Sequence, residues 1–543
     1  MAALQSIALN AGPAPVRAPV AKPALVPPSD AVTPREWLAV FGAMIGAFMA
    51  VLNIQITNSS LAEIQGSLGA TLDEGTWIST AYLVAEIVVI PMSAWLAQVF
   101  SVRRYLLVNA VLFLVFSALC ATATDLPTMI VFRALQGFSG GVLIPLSFMI
   151  TLTTLPASKQ PTGLSMFALT ATFAPAIGPT IGGWVTDTYG WQYIFYLNLV
   201  PGLIMLGLLW AALPKRTMQL GLLRQGDWSG IITMAIGLSA TEIVLEEGNR
   251  DDWFGSAFIL RMSVIAVVFT TAFLVIELVK KKPLINFRLL ARRNFGLASI
   301  VNVTLGVALY GSVYLLPVYL SQMQGYDAQQ IGMVMIWVGL PQLAIIPLVP
   351  RILKYVDARV LVGFGLTLFA ASCFMNGDLS HANSGPQFLI PNLVRAVGQA
   401  LVLSPLSTIA TAGLAREHAG SASGLFNMMR NLGGSFGIAL LSTFVTKREQ
   451  FHSNHVVEAI SSYSAATQAR IEQLTNLLLS RGADIDLAQR KAVALIDAAA
   501  RREAFTMAYG DAFLLMGAAL AIGAIAIALV KKPPIGGGAS DAH

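Results

Sequence analysis

The sequence predicts an all-α polytopic membrane protein with fourteen transmembrane helices. Composition, the spacing of its apolar windows and the one-sided placement of its basic residues all point to this class. Of 543 residues, 56% are hydrophobic and 11% charged, and the mean hydropathy is +0.70. Soluble domains carry about 25% charged residues. A pI near 9.3 would suggest nucleic acid as a partner of a soluble protein. Here the basic residues sit in short loops between apolar runs, so the expected surroundings are a lipid bilayer and no nucleic acid. Cys120 and Cys373 both fall inside apolar runs, and all five His lie in loops or tails. Neither a disulfide framework nor a metal site is expected.

In chain order, residues 1–36 form a Pro- and Ala-rich stretch (Pro13, Pro15, Pro19, Pro23, Pro27, Pro28, Pro34). It has no apolar core of the kind a signal peptide needs, so it reads as a cytoplasmic tail. Windows of about 20 apolar residues then place six spans in 37–213, at 37–57, 77–98, 104–124, 129–151, 163–185 and 193–213. The segment 214–294 holds two more, at 228–246 and 257–279, with Glu242 and Glu277 near their ends. A second set of six occupies 295–446 and 506–530, at 295–321, 329–350, 358–376, 387–411, 421–446 and 506–530. Between the last two, 447–505 mixes charges with apolar residues at helical spacing, such as Ile471, Leu474, Leu477 and Leu478. It reads as two amphipathic helices. Residues 531–543 form a second cytoplasmic tail.

The distribution of Lys and Arg orients the chain. On the side of the N-terminus there are 21, including Arg103, Arg104, Lys215, Arg216, Lys280, Arg292, Arg293, Arg351 and Lys531. The opposite short loops hold only 2, Arg250 and Arg261. Both termini are therefore expected in the cytoplasm, and 447–505 on the far side of the cytoplasmic (inner) membrane.

An internal repeat divides the chain. Arg133-Ala134-Leu135-Gln136-Gly137 in the fourth span matches Arg395-Ala396-Val397-Gly398-Gln399 in the twelfth. Gly163-Leu164-Ser165-Met166-Phe167 similarly matches Gly424-Leu425-Phe426-Asn427-Met428. Removing the two central spans brings both pairs into register, as two six-helix bundles. Such repeats belong to transporters whose halves rock about a midplane site. The fifth span is also rich in small residues. Ala174, Gly178 and Gly182 form a small-xxx-small stripe, and Pro179 removes a backbone donor beside it. With Gly183, these residues predict a sliding or sealing contact between the halves, the plainer alternative being tight packing alone. Gly433, Gly434 and Gly437 offer a similar surface in the second half.

The charges inside the spans are the strongest functional signal. Glu86 lies nine residues into the second span, roughly 13 Å deep at 1.5 Å per residue. An intramembrane carboxylate is costly and marks an ion or substrate path; the plainer alternative is a protonated carboxyl bonded to a neighbouring helix. Arg133, with Arg395 and Arg430 in the second half, completes the set of buried charges. Glu86 and Arg133 are the candidates for proton coupling. Asn53, Gln55, Tyr82, Tyr310, Tyr314, Trp337, Phe426 and Asn427 are candidates for lining a site for amphipathic cargo. There is no Gly-x-x-x-x-Gly-Lys-Ser/Thr loop for ATP, and no constellation suggests an enzyme or a cofactor. The energy comes from an ion gradient, or transport is passive. Export, uptake by symport, and a non-transporting sensor or scaffold remain as the three functional classes.

Several motifs together resemble the major facilitator superfamily, in particular its fourteen-spanner EmrB/QacA-like drug:proton antiporters. They are Phe132-Arg133-Ala134-Leu135-Gln136-Gly137, Gly178-Pro179-Thr180-Ile181-Gly182-Gly183, Trp191 to Asn198, Leu316-Pro317-Val318-Tyr319-Leu320 and Asn427 to Gly437. The long segment before the last span is similar to that of the EmrB branch. The resemblance implies a major facilitator fold and proton-driven export of amphipathic toxic compounds. It also implies an antiporter motif at Gly178, Pro179, Gly182 and Gly183, and a role for Arg133 in coupling. A periplasmic adaptor protein and an outer-membrane channel would be the implied partners. Two departures stand out. Leu52-Asn53-Ile54-Gln55 replaces a run that usually carries an acid, and Ala94 to Gln98 lacks the usual loop Asp. Asn53 cannot titrate, which shifts weight to Glu86.

Overall fold

The computed structural model describes residues 32–532, apart from 281, 282, 381, 415–417, 461–463 and 483. The two predicted tails lie almost wholly outside the described residues. No strand occurs among the described residues.

Fifteen long helices organise the chain. They are α1 Pro34–Ser59, α2 Trp77–Phe100, α3 Val102–Ala121, α4 Leu126–Thr154, α5 Gln160–Tyr189, α6 Gln192–Ala212, α7 Trp228–Glu247, α8 Ala257–Val279, α9 Arg293–Gln324, α10 Gln329–Ile352, α11 Ala358–Met375 and α12 Gly385–Thr411. These are followed by α13 Ala419–Ala459, α14 Ala465–Ser480 and α15 Ile485–Ala528. Among the described residues, thirteen are long and apolar enough to cross a membrane, all except α13 and α14. The remaining predicted span, 421–446, lies within α13. Asn427, Arg430, Asn431 and four glycines dilute its hydropathy, although α13 packs against α2, α7, α9 and α15.

Local chemistry sets the helix ends. Thr33 and Glu36 form a capping box at the start of α1, Asp125 accepts from the Thr128 backbone N–H at the start of α4, and Asp227 caps α7. Each satisfies an N–H that the first turn leaves unpaired. Gly190 and Gly325, with φ of 100° and 68°, end α5 and α9, in a conformation that favours glycine. Near the end that carries the start of α1, Arg293 donates to the Leu529 carbonyl and Arg359 to that of Val530. The end of the last crossing is thereby held at the starts of α9 and α11.

The repeat is visible in the backbone. The helices carrying Arg133 and Arg395 both break a turn or two after the arginine, at Gly141–Val142 in α4 and Leu401–Val402 in α12. In each half, a glycine stripe brings one helix against the first helix of that half. A Cβ at Gly178 would overlap Gln55, and one at Gly182 would overlap Ser59, both on α1. A Cβ at Gly437 would come 2.7 Å from Val307 Cα on α9, and one at Gly433 3.0 Å from Val303 Cα.

The expected contact of Gly178 and Gly182 between the halves is therefore corrected: their face is turned inward, onto α1. The contact between α5 and α10 uses other small residues. Thr180 Oγ1 donates to the Gly332 carbonyl at 2.9 Å, and a Cβ at Gly339 would press on Ala176 and Phe173 at 3.1 Å.

The segment 447–505 also differs from two free-standing helices. α13 runs unbroken to Ala459 and α15 begins at Ile485, with α14 packed along α15. At 1.5 Å per residue, α13 and α15 are each about 60 Å long, twice the hydrocarbon thickness. The projection is a rigid continuation of two crossing helices. Asp511 ties them together, accepting from Arg448 Nε at 2.6 Å with His452 Nε2 at 2.7 Å.

Gly182→Leu is expected to destabilise the protein by about 1–3 kcal/mol through overpacking. Gly207, whose Cβ direction meets nothing within 4 Å, provides the contrast. Gly207→Ala should be neutral or gain about 0.5–1 kcal/mol from helix propensity. Thermal unfolding of the purified protein followed by size-exclusion fluorescence distinguishes them; equal melting temperatures would refute the close-packing role of Gly182.

Candidate functional site

A cavity of about 540 Å³ lies between the two halves, with walls from α1, α2, α5, α7, α9 and α13. At its inner end is Glu86, and it extends to Asn58, Thr76, Asn249 and Ser321 near the helix ends opposite the termini. Towards the termini, the halves are fastened together. Ser165 and Ser404 hydroxyls meet at 2.7 Å, Ser423 Oγ donates to the Pro145 carbonyl at 2.7 Å, and Phe148 stacks on Phe426. The cavity thus has access on one side and a polar and aromatic seal on the other.

Glu86 is 2% exposed, and its Oε2 has no hydrogen-bond partner. Gly141, at the break in α4, admits it: a Cβ there would lie 2.9 Å from the Glu86 Cγ. The charges that reach Glu86 belong to Glu242, Arg430 and Arg133. An intramembrane carboxylate oxygen without a hydrogen-bond partner is costly.

Arg133 forms no ion pair with Glu86. Its Nε donates to the Ile78 carbonyl at 3.1 Å, and its Nη1 donates to Asn53 Oδ1 and Gln136 Oε1, both at 2.7 Å. Gln136 donates onward to Ser117, which also receives Asn198 Nδ2 at 3.0 Å. Tyr82 covers the guanidinium face, with 4.3 Å from Cζ to the ring centroid. Asn53, at the position where the resemblance leads one to expect an acid, supplies a neutral carbonyl. The guanidinium is fully buried and held by neutral acceptors and an aromatic face.

Of the predicted lining residues, Gln55, Tyr310 and Tyr314 face the cavity, as does Pro179. Five others do not line it. Asn53 and Tyr82 are committed to Arg133. Trp337 is on the outer surface of α10 at 42% exposure, Phe426 is in the aromatic seal, and Asn427 bonds the Ser423 carbonyl and Arg430 Nη2 within α13. Arg395 is the repeat mate of Arg133 without its network. Its Nη1 reaches the Ser312 carbonyl at 3.4 Å, while Nε and Nη2 have no partner. Arg430 likewise keeps Nε and Nη1 unpartnered.

The central helix α7 supplies what sequence reasoning missed. Glu242 and Glu246 line the cavity, and Ser435 Oγ of α13 donates to Glu242 Oε1 at 2.7 Å. Glu247 holds Arg250 at 2.6 Å and accepts from Thr80 Oγ1 at 2.6 Å, joining α7 to α2; Arg250 also bonds Thr76. The available signal was Glu242 and Glu246 at i,i+4 in an apolar window.

Comparison with known proteins agrees with this architecture. Residues 43–438 match the family described as Major Facilitator Superfamily. The chain is 33% identical to the colistin resistance protein EmrB of Acinetobacter baumannii, over 87% of this chain and 92% of that protein. It is 30% identical to the multidrug export protein EmrB of Escherichia coli K12, over 92% of this chain and 96% of that one. The solved structure of the proton:xylose symporter XylE shares the fold at 14% identity with a TM-score of 0.57, covering 90% of this chain and 94% of that one. On these matches and the architecture described, the chain belongs to the major facilitator superfamily.

Proposed function

We propose that this protein is a proton-coupled antiporter that exports amphipathic compounds across the cytoplasmic membrane. The observation that carries the reading is Glu86, a buried carboxylate with an unpartnered oxygen at the inner end of a cavity between two halves. Both termini are cytoplasmic in this reading, because the basic residues cluster on that side. The cavity then faces outward and the Ser165–Ser404 seal closes the cytoplasmic side. Alternation would break that seal and close the walls around Glu86. The name multidrug export protein, carried by relatives in Haemophilus influenzae and Escherichia coli, supports the direction of transport. The walls suit mixed cargo: aliphatic surface from Ile54, Leu83 and Val313, with polar groups from Gln55, Tyr310 and Tyr314.

The projection of α13, α14 and α15 is assigned to an adaptor protein outside the cytoplasmic membrane. Its exposed apolar side chains include Val457 at 50%, Leu477 at 47% and Val493 at 53%, more apolar surface than a solvated cap needs.

Glu86→Gln should abolish drug-driven proton movement in everted vesicles with a preset pH gradient, while leaving insertion normal, because Gln keeps the shape and loses titration. Wild-type proton movement in the variant would remove Glu86 from coupling. Arg133→Lys should lower resistance in a pump-deficient host, since a single ammonium cannot span Ile78, Asn53 and Gln136 in the guanidinium's plane. Full resistance with Lys would reduce the role of Arg133 to its charge. Replacing 465–480 by a short Gly/Ser linker should leave cargo binding in detergent unchanged and lower whole-cell resistance in a double-membraned host. Undiminished resistance would dismiss the adaptor assignment.

A further inference from the structure

We propose that the base of the α7–α8 hairpin is a binding site for one alkali-metal cation, held between the carboxylates of Asp227 and Glu277. Neither residue lines the cavity between the halves, and the site is independent of the export reading.

Asp227 is the N-cap of α7, and Glu277 lies in the last turn of α8. The two meet where the chain enters and leaves the hairpin, next to Trp228, whose ring packs edge-on against Trp95 of α2 at 5.9 Å. Each carboxylate gives one oxygen to the protein. Asp227 Oδ1 accepts from the Gly230 backbone N–H at 2.7 Å, from Ser229 Oγ at 3.0 Å and from Lys280 Nζ. Glu277 Oε2 accepts from the Ile285 backbone N–H at 2.9 Å. The second oxygens, Asp227 Oδ2 and Glu277 Oε1, are buried and have no hydrogen-bond partner.

Those two bare oxygens converge. A Cβ on Gly230 would stand 2.6 Å from Glu277 Oε1 and 2.8 Å from Asp227 Oδ2, so both border the space that this glycine leaves by having no side chain. The spacing is within the span of one ion with oxygen ligands at about 2.3–2.6 Å. Asn286 Oδ1, one residue after Ile285, is a third buried oxygen without a partner. Carboxylate and amide oxygens, with no thiolate or imidazole among them, select a hard cation over a transition metal.

Charge decides the valence. The charges that reach Glu277 belong to Asp227 and Lys280, and the charge that reaches Asp227 is that of Lys280. Two carboxylates thus face one ammonium. One negative charge remains, which a monovalent ion balances and a divalent ion would exceed. The α7 N-terminus and the α8 C-terminus meet here, so their opposite dipoles offset. Asp227 and Glu277 are 6% and 2% exposed, and like charges so placed repel strongly in a medium of low dielectric. A cation between them turns that repulsion into two attractions. The Lys280 side chain, 41% exposed, leads from the carboxylates to water and gives the ion its way in.

Thermal melting of the full-length protein in detergent, compared in sodium, potassium and choline chloride at equal ionic strength, tests the site. Sodium or potassium, in about hundredfold excess over its dissociation constant, is expected to raise the melting temperature by about 3 °C over choline. Sodium NMR should show a line broadened by the protein. Glu277→Gln keeps the shape and the Ile285 bond and removes the charge, while Gly230→Ala puts a methyl group between the two oxygens with no change of charge. Each should abolish both effects, and either one serves if the other does not purify as a single species. Equal melting in the three salts with no broadening of the sodium line, or effects that survive the substitutions, overturns the site. A gain from calcium or magnesium alone overturns the monovalent assignment. Stability that follows pH and ignores the salt assigns the bare oxygens to a shared proton and equally overturns it.

Discussion

A buried guanidinium in a medium without water constrains the first half of this protein. Arg133 needs acceptors at fixed positions, because each unsatisfied donor costs several kcal/mol in hydrocarbon. The chain supplies them from two other helices, the Ile78 carbonyl on α2 and Asn53 on α1, and from Gln136 one turn away on α4. Satisfying one side chain therefore fixes α1, α2 and α4 relative to one another. The same packing places Glu86 of α2 against the break in α4 at Gly141. The position of the unpartnered carboxylate thus follows from the network that satisfies the arginine.

Asn53 separates the two charges chemically. A carboxylate at that position would pair with Arg133 and neutralise it. The amide answers the guanidinium by hydrogen bonding alone and has no proton to exchange. Glu86 is left as the titratable group of the first half that reaches the cavity. In the second half the symmetry is structural and not chemical: Arg395 occupies the equivalent place and the helix breaks similarly, yet two of its nitrogens lack partners. Duplicated backbones with unequal polar networks give the halves different roles around one cavity.

The helices outside the repeat add function at the seam. α7 packs on α2 and α13, one from each half. Its hydrogen bonds go to both, through Thr80 to Glu247 and Ser435 to Glu242. A helix that bonds across the boundary while lining the cavity is placed to sense which way the halves face. The long projections of α13 and α15 continue these crossing helices and are tied to each other by the Arg448–Asp511–His452 cluster.

Composition, window length and internal repetition were enough to determine the class of this protein, its helix order, the duplicated halves and the isolation of Glu86. These depend on local hydropathy and on spacing along one chain, which bilayer thickness converts directly into elements. Gly178 and Gly182 were legible as a close-contact stripe, but their partner was not, because a helix face has no address until its neighbours are placed. Tyr82, Trp337, Phe426 and Asn427 show the same limit: an aromatic or amide in a span packs, faces lipid or faces the cavity according to a helix rotation that tertiary packing alone decides. The roles of Glu242 and Glu246 were hidden for a further reason. They sit on a helix outside the repeat, so no internal match pointed to them, and only the docking of α7 on the seam between the halves turned two acids near a helix end into cavity walls.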